Sequence, residues 1–227
     1  MHNRLLGYLS LLTLILTAIW LGLLITTTAS SGTVETLDQA IDYAVKAGPI
    51  YTLTYLNAAL IVVAATALFA VLHTTHRLRS PAWSFIDLVF VPVYSVLNLT
   101  IYISQITVVP RLVTLIGQPG LQPAATALLS QTLQAWSGSS AGILNSLAYA
   151  VLAIPSIIYG TLLWGQRTAL RVGGALLIAN GIACILGFMG VILDSPLLQL
   201  GTVLGGVLFL AALVPMIIAF LNKRRLK

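Results

Sequence analysis

Six stretches of the chain are each about 20 or more residues long and almost wholly apolar: Leu5–Thr26, Ile50–His73, Phe85–Val109, Ala141–Trp164, Val172–Leu193 and Leu197–Leu221. A helix of that length crosses the hydrocarbon of a bilayer. Lipid offers no hydrogen bonds, so spanning segments must satisfy their own backbone, which a helix does. The fold class that follows is all-α: a polytopic membrane protein, a bundle of six transmembrane helices in a single domain over residues 1–227. Composition agrees. Charged residues are 7% of the 227 and hydrophobic ones 59%, where a soluble domain carries about 25% charged residues. That excludes an ordinary cytosolic enzyme, a disordered chain and a nucleic-acid-binding domain. The lipid bilayer is the first partner.

The formal charge of +6 is distributed by side. Arg4, Arg77, Arg79, Arg167, Arg171, Lys223, Arg224, Arg225 and Lys227 fall on one side of a six-span topology, and only Lys46 and Arg111 on the other. Basic loops stay in the cytoplasm, which predicts cytoplasmic termini in a cell inner membrane. The first span follows Arg4 and precedes Thr28-Ala29-Ser30, as a signal peptide would. Its run of about 22 residues exceeds the roughly 7–15 of a signal core, so it reads as a retained helix. The lone cysteine, Cys184, implies no disulfide.

The connections differ in character. Thr74–Ser84 and Gly165–Arg171 are short and basic, and Asp194-Ser195-Pro196 is only a turn. Two longer connections lie outside. Thr33–Ala47 reads as an amphipathic helix with Val34, Leu37, Ile41 and Val45 on one face. Thr36 and Gln39 have capping-box spacing, Asp42 precedes Lys46 by four, and Gly48-Pro49 ends the helix. After the breaker-rich Gly117–Pro123, Ala124–Trp136 reads as an uncharged interfacial helix with Leu128, Leu129, Leu133 and Trp136 on one side. A structural cap over the bundle explains this segment more simply than a gating lid.

Ala175, Ala179, Ala183 and Gly187 recur every four residues in the fifth span, and Gly201 with Gly205 in the sixth. Small residues at that spacing let helices approach closely in lipid. They serve either the contact between spans five and six or a seam to a second copy or a larger membrane complex. Pro92, Pro155 and Pro215 interrupt spans three, four and six at similar distances from their cytoplasmic ends, which predicts bends at one level.

Polar side chains in hydrocarbon are costly and must face the interior. In the third span Asp87, Tyr94, Asn98, Tyr102 and Gln105 share one helical face. The fourth span offers Asn145, Tyr149 and Ser156, and the second Tyr51 and Tyr55 with Asn57 beside them. Tyr51, Tyr55, Asn57, Asn98, Tyr102, Gln105, Asn145 and Tyr149 all fall in the outer half of this topology. They are the candidate ligand-binding residues of an outward-open pocket between spans two, three and four; the competing reading is interhelical hydrogen bonding. His73, His76 and Asp87 gather near the inner ends of spans two and three. They are weak metal-ligand candidates without a motif, and all three sitting at the headgroup level with Asp87 pairing Arg77 or Arg79 explains them more simply. There is no HExxH, no GxSxG with a triad, no Walker loop and no paired intramembrane carboxylate, and no cofactor is called for.

The stretch Tyr159-Gly160-Thr161-Leu162-Leu163-Trp164-Gly165-Gln166-Arg167, followed by Gly173-Gly174-Ala175-Leu176-Leu177, resembles the fourth-to-fifth helix region of six-helix bacterial integral membrane proteins grouped only as a domain of unknown function. The resemblance implies a six-helix bundle and brings no catalytic residues with it. The leading expectation is a non-enzymatic bundle that holds or passes a small apolar or amphipathic molecule in the outer pocket. The alternatives are an accessory subunit of a larger membrane complex and an intramembrane enzyme using Asp87 with His73 or His76.

Overall fold

The computed structural model describes residues 2–31, 34–78, 80–166 and 168–222. Among them every regular element is a helix: α1 (His2–Ser31), α2 (Leu37–His76), α3 (Pro81–Thr107), α4 (Val109–Ile116), α5 (Gln122–Thr132), α6 (Ser140–Trp164), α7 (Thr168–Ile192) and α8 (Pro196–Leu221). Six stretches are long and apolar enough to cross a membrane: Arg4–Ala29, Gly48–His76, Pro81–Ile116, Ser140–Trp164, Thr168–Ile192 and Pro196–Leu221. The protein is therefore an all-α multi-pass bundle, as its hydropathy requires. Six of the eleven basic residues that set the expected orientation, Arg79, Arg167, Lys223, Arg224, Arg225 and Lys227, lie outside the described residues.

Several boundaries shift, for local reasons. The amphipathic segment before the second span and that span join into one helix, interrupted only at Gly48 (φ 50°, ψ −126°). That conformation is open to glycine and closed to side chains with a Cβ. The start of α2 is capped as its spacing foretold. The Gln39 backbone N–H donates to Thr36 Oγ1 at 3.3 Å, and the N–H groups of Thr36 and Glu35 donate to Gln39 Oε1 at 3.0 and 2.7 Å. Lys46 reaches Asp42 at 2.9 Å.

The inward face of this segment differs from the expected one. Ala40 and Tyr43 are buried, while Val45 is half exposed and Val34, Leu37 and Ile41 flank the seam. The large Tyr43 ring wins the inward position, because its hydroxyl also finds a partner in Thr27 at 3.2 Å.

Helical structure continues past Val109, the expected end of the third span, into α4, where Pro110 lies. Pro110 sits in the first turn of α4, where its missing N–H removes no helical bond. The helix of the second long connection, α5, ends at Thr132, because Leu133 is extended (ψ 106°). Leu129 and Leu133 are fully buried but Leu128 is 55% exposed, so the expected four-residue face divides at that helix end. Helices α3, α6 and α8 run through Pro92, Pro155 and Pro215 without interruption.

The chain forms two compact units: Met1–Ile15 with Val62–Val96 and Ser146–Lys227, and Leu16–Ile61 with Leu97–Asn145. In the first, α7 and α8 are joined by a turn that puts Asp194 at φ 49°, a conformation aspartate tolerates better than most residues. Their glycines face one another. A Cβ on Gly187 would strike Thr202, one on Gly190 would strike Gln199, and one on Gly201 would lie 2.5 Å from the Ala183 carbonyl. Gly187, Gly201 and Gly205, with Ala183, are thus engaged within the chain. Gly160 and Gly174 bring α6 equally close to α7. Asn180 adds a hydrogen bond from its amide to the Gly205 carbonyl at 2.8 Å. Helix α1 meets α8 where Gly7 faces Leu221 and Phe220.

Candidate functional site

The polar stripe of α3 is inward along its whole length. Asp87, Tyr94, Asn98, Tyr102 and Gln105 are each 5% exposed or less. What each does depends on the neighbour it meets.

In the unit built from Leu16–Ile61 and Leu97–Asn145, Gln105 is the hub. Its Oε1 accepts from the Tyr51 hydroxyl at 2.8 Å and from the Gln134 backbone N–H at 3.1 Å. Its Nε2 donates to the Thr132 carbonyl at 2.7 Å, with Ser104 Oγ at 3.1 Å. Thr132 closes α5, so its carbonyl is one of those a helix end leaves unpaired. Tyr55 completes the arrangement by donating to Gln134 Oε1 at 2.8 Å. Two glutamines and two tyrosines therefore lash the end of α5 to α2 and α3. Just beyond, Ser139 caps α6: its Oγ accepts from the Gly142 N–H at 2.8 Å and donates to the Leu133 carbonyl at 2.6 Å.

The rings form a ladder beside this network. Tyr43 and Tyr51 meet edge to face at 5.7 Å between centroids, Tyr51 and Tyr55 at 4.7 Å, and Tyr55 and Tyr102 at 6.0 Å. These spacings are in the range where aromatic pairs attract. Asn57, Asn98 and Asn145 are buried. The side-chain oxygens of Asn57 and Asn145 meet no hydrogen-bond partner among the described residues. Tyr149 belongs to the other unit, where its ring lies 6.2 Å from that of Tyr94.

An open groove of about 660 Å³ lies in the same unit as the network, lined by Ala44, Val45, Gly48, Pro49, Tyr51, Thr52, Leu53, Val109, Pro110 and Val113. It exists because two helix breaks fall side by side: the turn at Gly48-Pro49 and the step from α3 to α4. Packing cannot close over two interruptions at once, and the walls left are apolar. Of the eight residues expected around a pocket, Tyr51 lines the groove. Tyr55 and Gln105 direct their polar atoms to neighbouring side chains and backbone.

In the unit holding Val62–Val96 and Ser146–Lys227, the three metal-ligand candidates take separate roles. Asp87 accepts from the Tyr159 hydroxyl at 2.6 Å, so its partner is a phenol rather than Arg77; Arg79 lies outside the described residues. His73 Nδ1 is 2.9 Å from the Ser84 carbonyl. His76 packs its ring 6.1 Å from that of Tyr159. Among the described residues no three His, Cys, Asp or Glu side chains gather as a metal site.

Three residues that matter here escaped the sequence reading: Tyr43, Gln134 and Asn180. Asn180, an amide isolated in an apolar span, carries the same signal as Asn98. Tyr43 and Gln134 carry no local signal, since their partners are distant in the chain.

Fold and interior together define an all-helical multi-pass membrane protein whose buried polar groups join helix to helix. Comparison with known proteins finds no matching family model, no matching curated protein and no matching solved structure.

Proposed function

We propose that this chain is a non-enzymatic protein of a bacterial inner membrane that holds or passes a small apolar or amphipathic molecule at its outer face. The seat is the groove at the Gly48 break. One observation carries the reading: an open groove of about 660 Å³ with apolar walls falls in the volume range of small-molecule sites. Tyr51 gives it a floor, and Gln105 holds that tyrosine by its hydroxyl. A lipid-like molecule fits this chemistry, with its apolar part against Ala44, Leu53, Val109 and Val113 and its polar end toward water.

Filling the groove tests the proposal. Wild-type protein, purified and extracted into organic solvent, is expected to yield a stoichiometric small molecule by mass spectrometry. Val113→Trp and Ala44→Trp should each reduce it several-fold without changing the melting temperature by more than a few degrees. Equal retention in both variants would sink the proposal.

The orientation rests on the basic residues, nine of which fall on the side of the termini. In a Cys184→Ala background, a cysteine at Lys227 should resist an impermeant thiol reagent in intact cells and react after lysis. A cysteine at exposed Glu35 should react in both. The opposite pattern would reverse the topology and move the groove to the cytoplasmic face.

A further inference from the structure

Helical hydroxyls in this protein return to the carbonyl of the preceding turn. Ser10 donates to Leu6 at 2.8 Å, Thr54 to Ile50 at 2.8 Å, Ser95 to Val91 at 2.8 Å and Thr161 to Ile158 at 2.7 Å. This is the ordinary resort of a hydroxyl in an apolar helix. Ser84 and Ser156 depart from it. They are 1% and 0% exposed, and neither Oγ has a hydrogen-bond partner among the described residues.

Asp87 is also 1% exposed. Its Oδ2 accepts from Tyr159, and its Oδ1 meets no partner among the described residues. Ser84 lies one turn from Asp87 on α3, and Ser156 lies one turn from Tyr159 on α6. Residues three apart share a helix face. The Tyr159–Asp87 bond joins α3 to α6, and Ser84 and Ser156 each lie one turn from it on their own helix.

The chemistry of that set selects its occupant. An unsatisfied buried oxygen costs free energy, and an unneutralised buried carboxylate costs much more. A water molecule would offer hydrogen bonds to such oxygens but bring no charge. No lysine or arginine among the described residues forms an ion pair with Asp87; the pair found there is Asp42 with Lys46. A transition metal would want imidazole or thiolate, but His73 is turned to the Ser84 carbonyl and His76 presents its ring to Tyr159. One carboxyl and two hydroxyls are hard oxygen donors, of net charge −1 when the carboxyl is ionised, and a small monovalent cation matches both properties.

We infer that Asp87 Oδ1, Ser84 Oγ and Ser156 Oγ bind a sodium ion, which neutralises the carboxylate that Tyr159 positions and fastens α3 to α6. This site is in a different unit from the groove and does not depend on it.

The test is thermal unfolding of the purified full-length protein in sodium chloride against choline chloride at equal ionic strength. Sodium is expected to raise the melting temperature in a saturable way, and choline is not. Asp87→Asn should abolish the sodium response. Ser156→Ala, which removes one donor and keeps the charge, should raise the half-saturating sodium concentration about tenfold. Equal effects of sodium and choline on the wild type would overturn the site and leave water or a proton as its occupant. A sodium response that persists in Asp87→Asn would overturn it too. If Asp87→Asn does not fold, Ser156→Ala decides, and an unchanged half-saturation refutes the assignment.

Discussion

Replacing Gln105 with leucine is expected to produce the largest loss of stability from any single polar side chain in this protein. The leucine suits lipid and approximates the glutamine in volume, so packing changes little. What changes is the fate of three groups, the buried Tyr51 hydroxyl and the half-buried Thr132 carbonyl and Gln134 N–H, which all lose their partner. Leaving a buried polar group unsatisfied costs about 1–3 kcal/mol. Interhelical bonds in membranes average only about 0.6 kcal/mol, since the unfolded chain in lipid also finds partners. The two together suggest a loss of about 3–5 kcal/mol.

Tyr51→Phe removes one bond and keeps the ring ladder, so it should cost about 1 kcal/mol. Unfolding in mixed micelles measures both. Protease sensitivity between α5 and α6 should rise in Gln105→Leu and stay at the wild-type level in Tyr51→Phe, because Gln105 is what holds the end of α5. If Gln105→Leu and Tyr51→Phe prove equally mild, the network is incidental.

The second large effect concerns backbone proximity. At Gly187 a Cβ would collide with both the backbone and the side chain of Thr202, and at Gly190 with the backbone around Leu198 and Gln199. Backbone cannot turn aside as a side-chain tip can. Gly187→Val and Gly190→Val must therefore push α7 and α8 apart along the seam that Asn180 also bonds. Overpacking typically costs about 1–3 kcal/mol, and the backbone case lies at or above the upper end. These variants are expected to lose monodisperse behaviour in size-exclusion chromatography.

Gly206 and Gly22 provide the contrast. A Cβ at either meets nothing within 4 Å, so Gly206→Ala and Gly22→Ala should be neutral or slightly stabilising, because alanine is the better helix former. Equal damage from Gly187→Ala and Gly206→Ala would show that glycine serves α7 and α8 through something other than close approach.

Much of the local structure was legible in the chain because the bilayer makes the inference one-dimensional. Hydropathy alone locates six spans, since an apolar run of that length has few other options. The stripe from Asp87 to Gln105 had to face inward, because lipid penalises each of its members. The pairing of Thr36 with Gln39, the bond from Asp42 to Lys46 and the break at Gly48-Pro49 were equally readable. Each depends on residues within four positions of one another, where helix geometry fixes the distance.

Partner choice was not readable. The same stripe admits a ligand pocket or a set of interhelical bonds, and the composition of Gln105, Tyr51 and Tyr55 is compatible with either. The difference lies in Thr132 and Gln134, which reach Gln105 and Tyr55 from 27 and 79 positions away. No periodicity carries that information. The groove has a similar origin: Gly48 and Pro110 each announce a break, but only the folded chain sets the breaks beside each other. Ser84 and Ser156 look like any helical serine in the sequence. Burial, which only the folded chain sets, decided whether water could reach their hydroxyls, and the bond from Tyr159 to Asp87 joined the two helices that carry them.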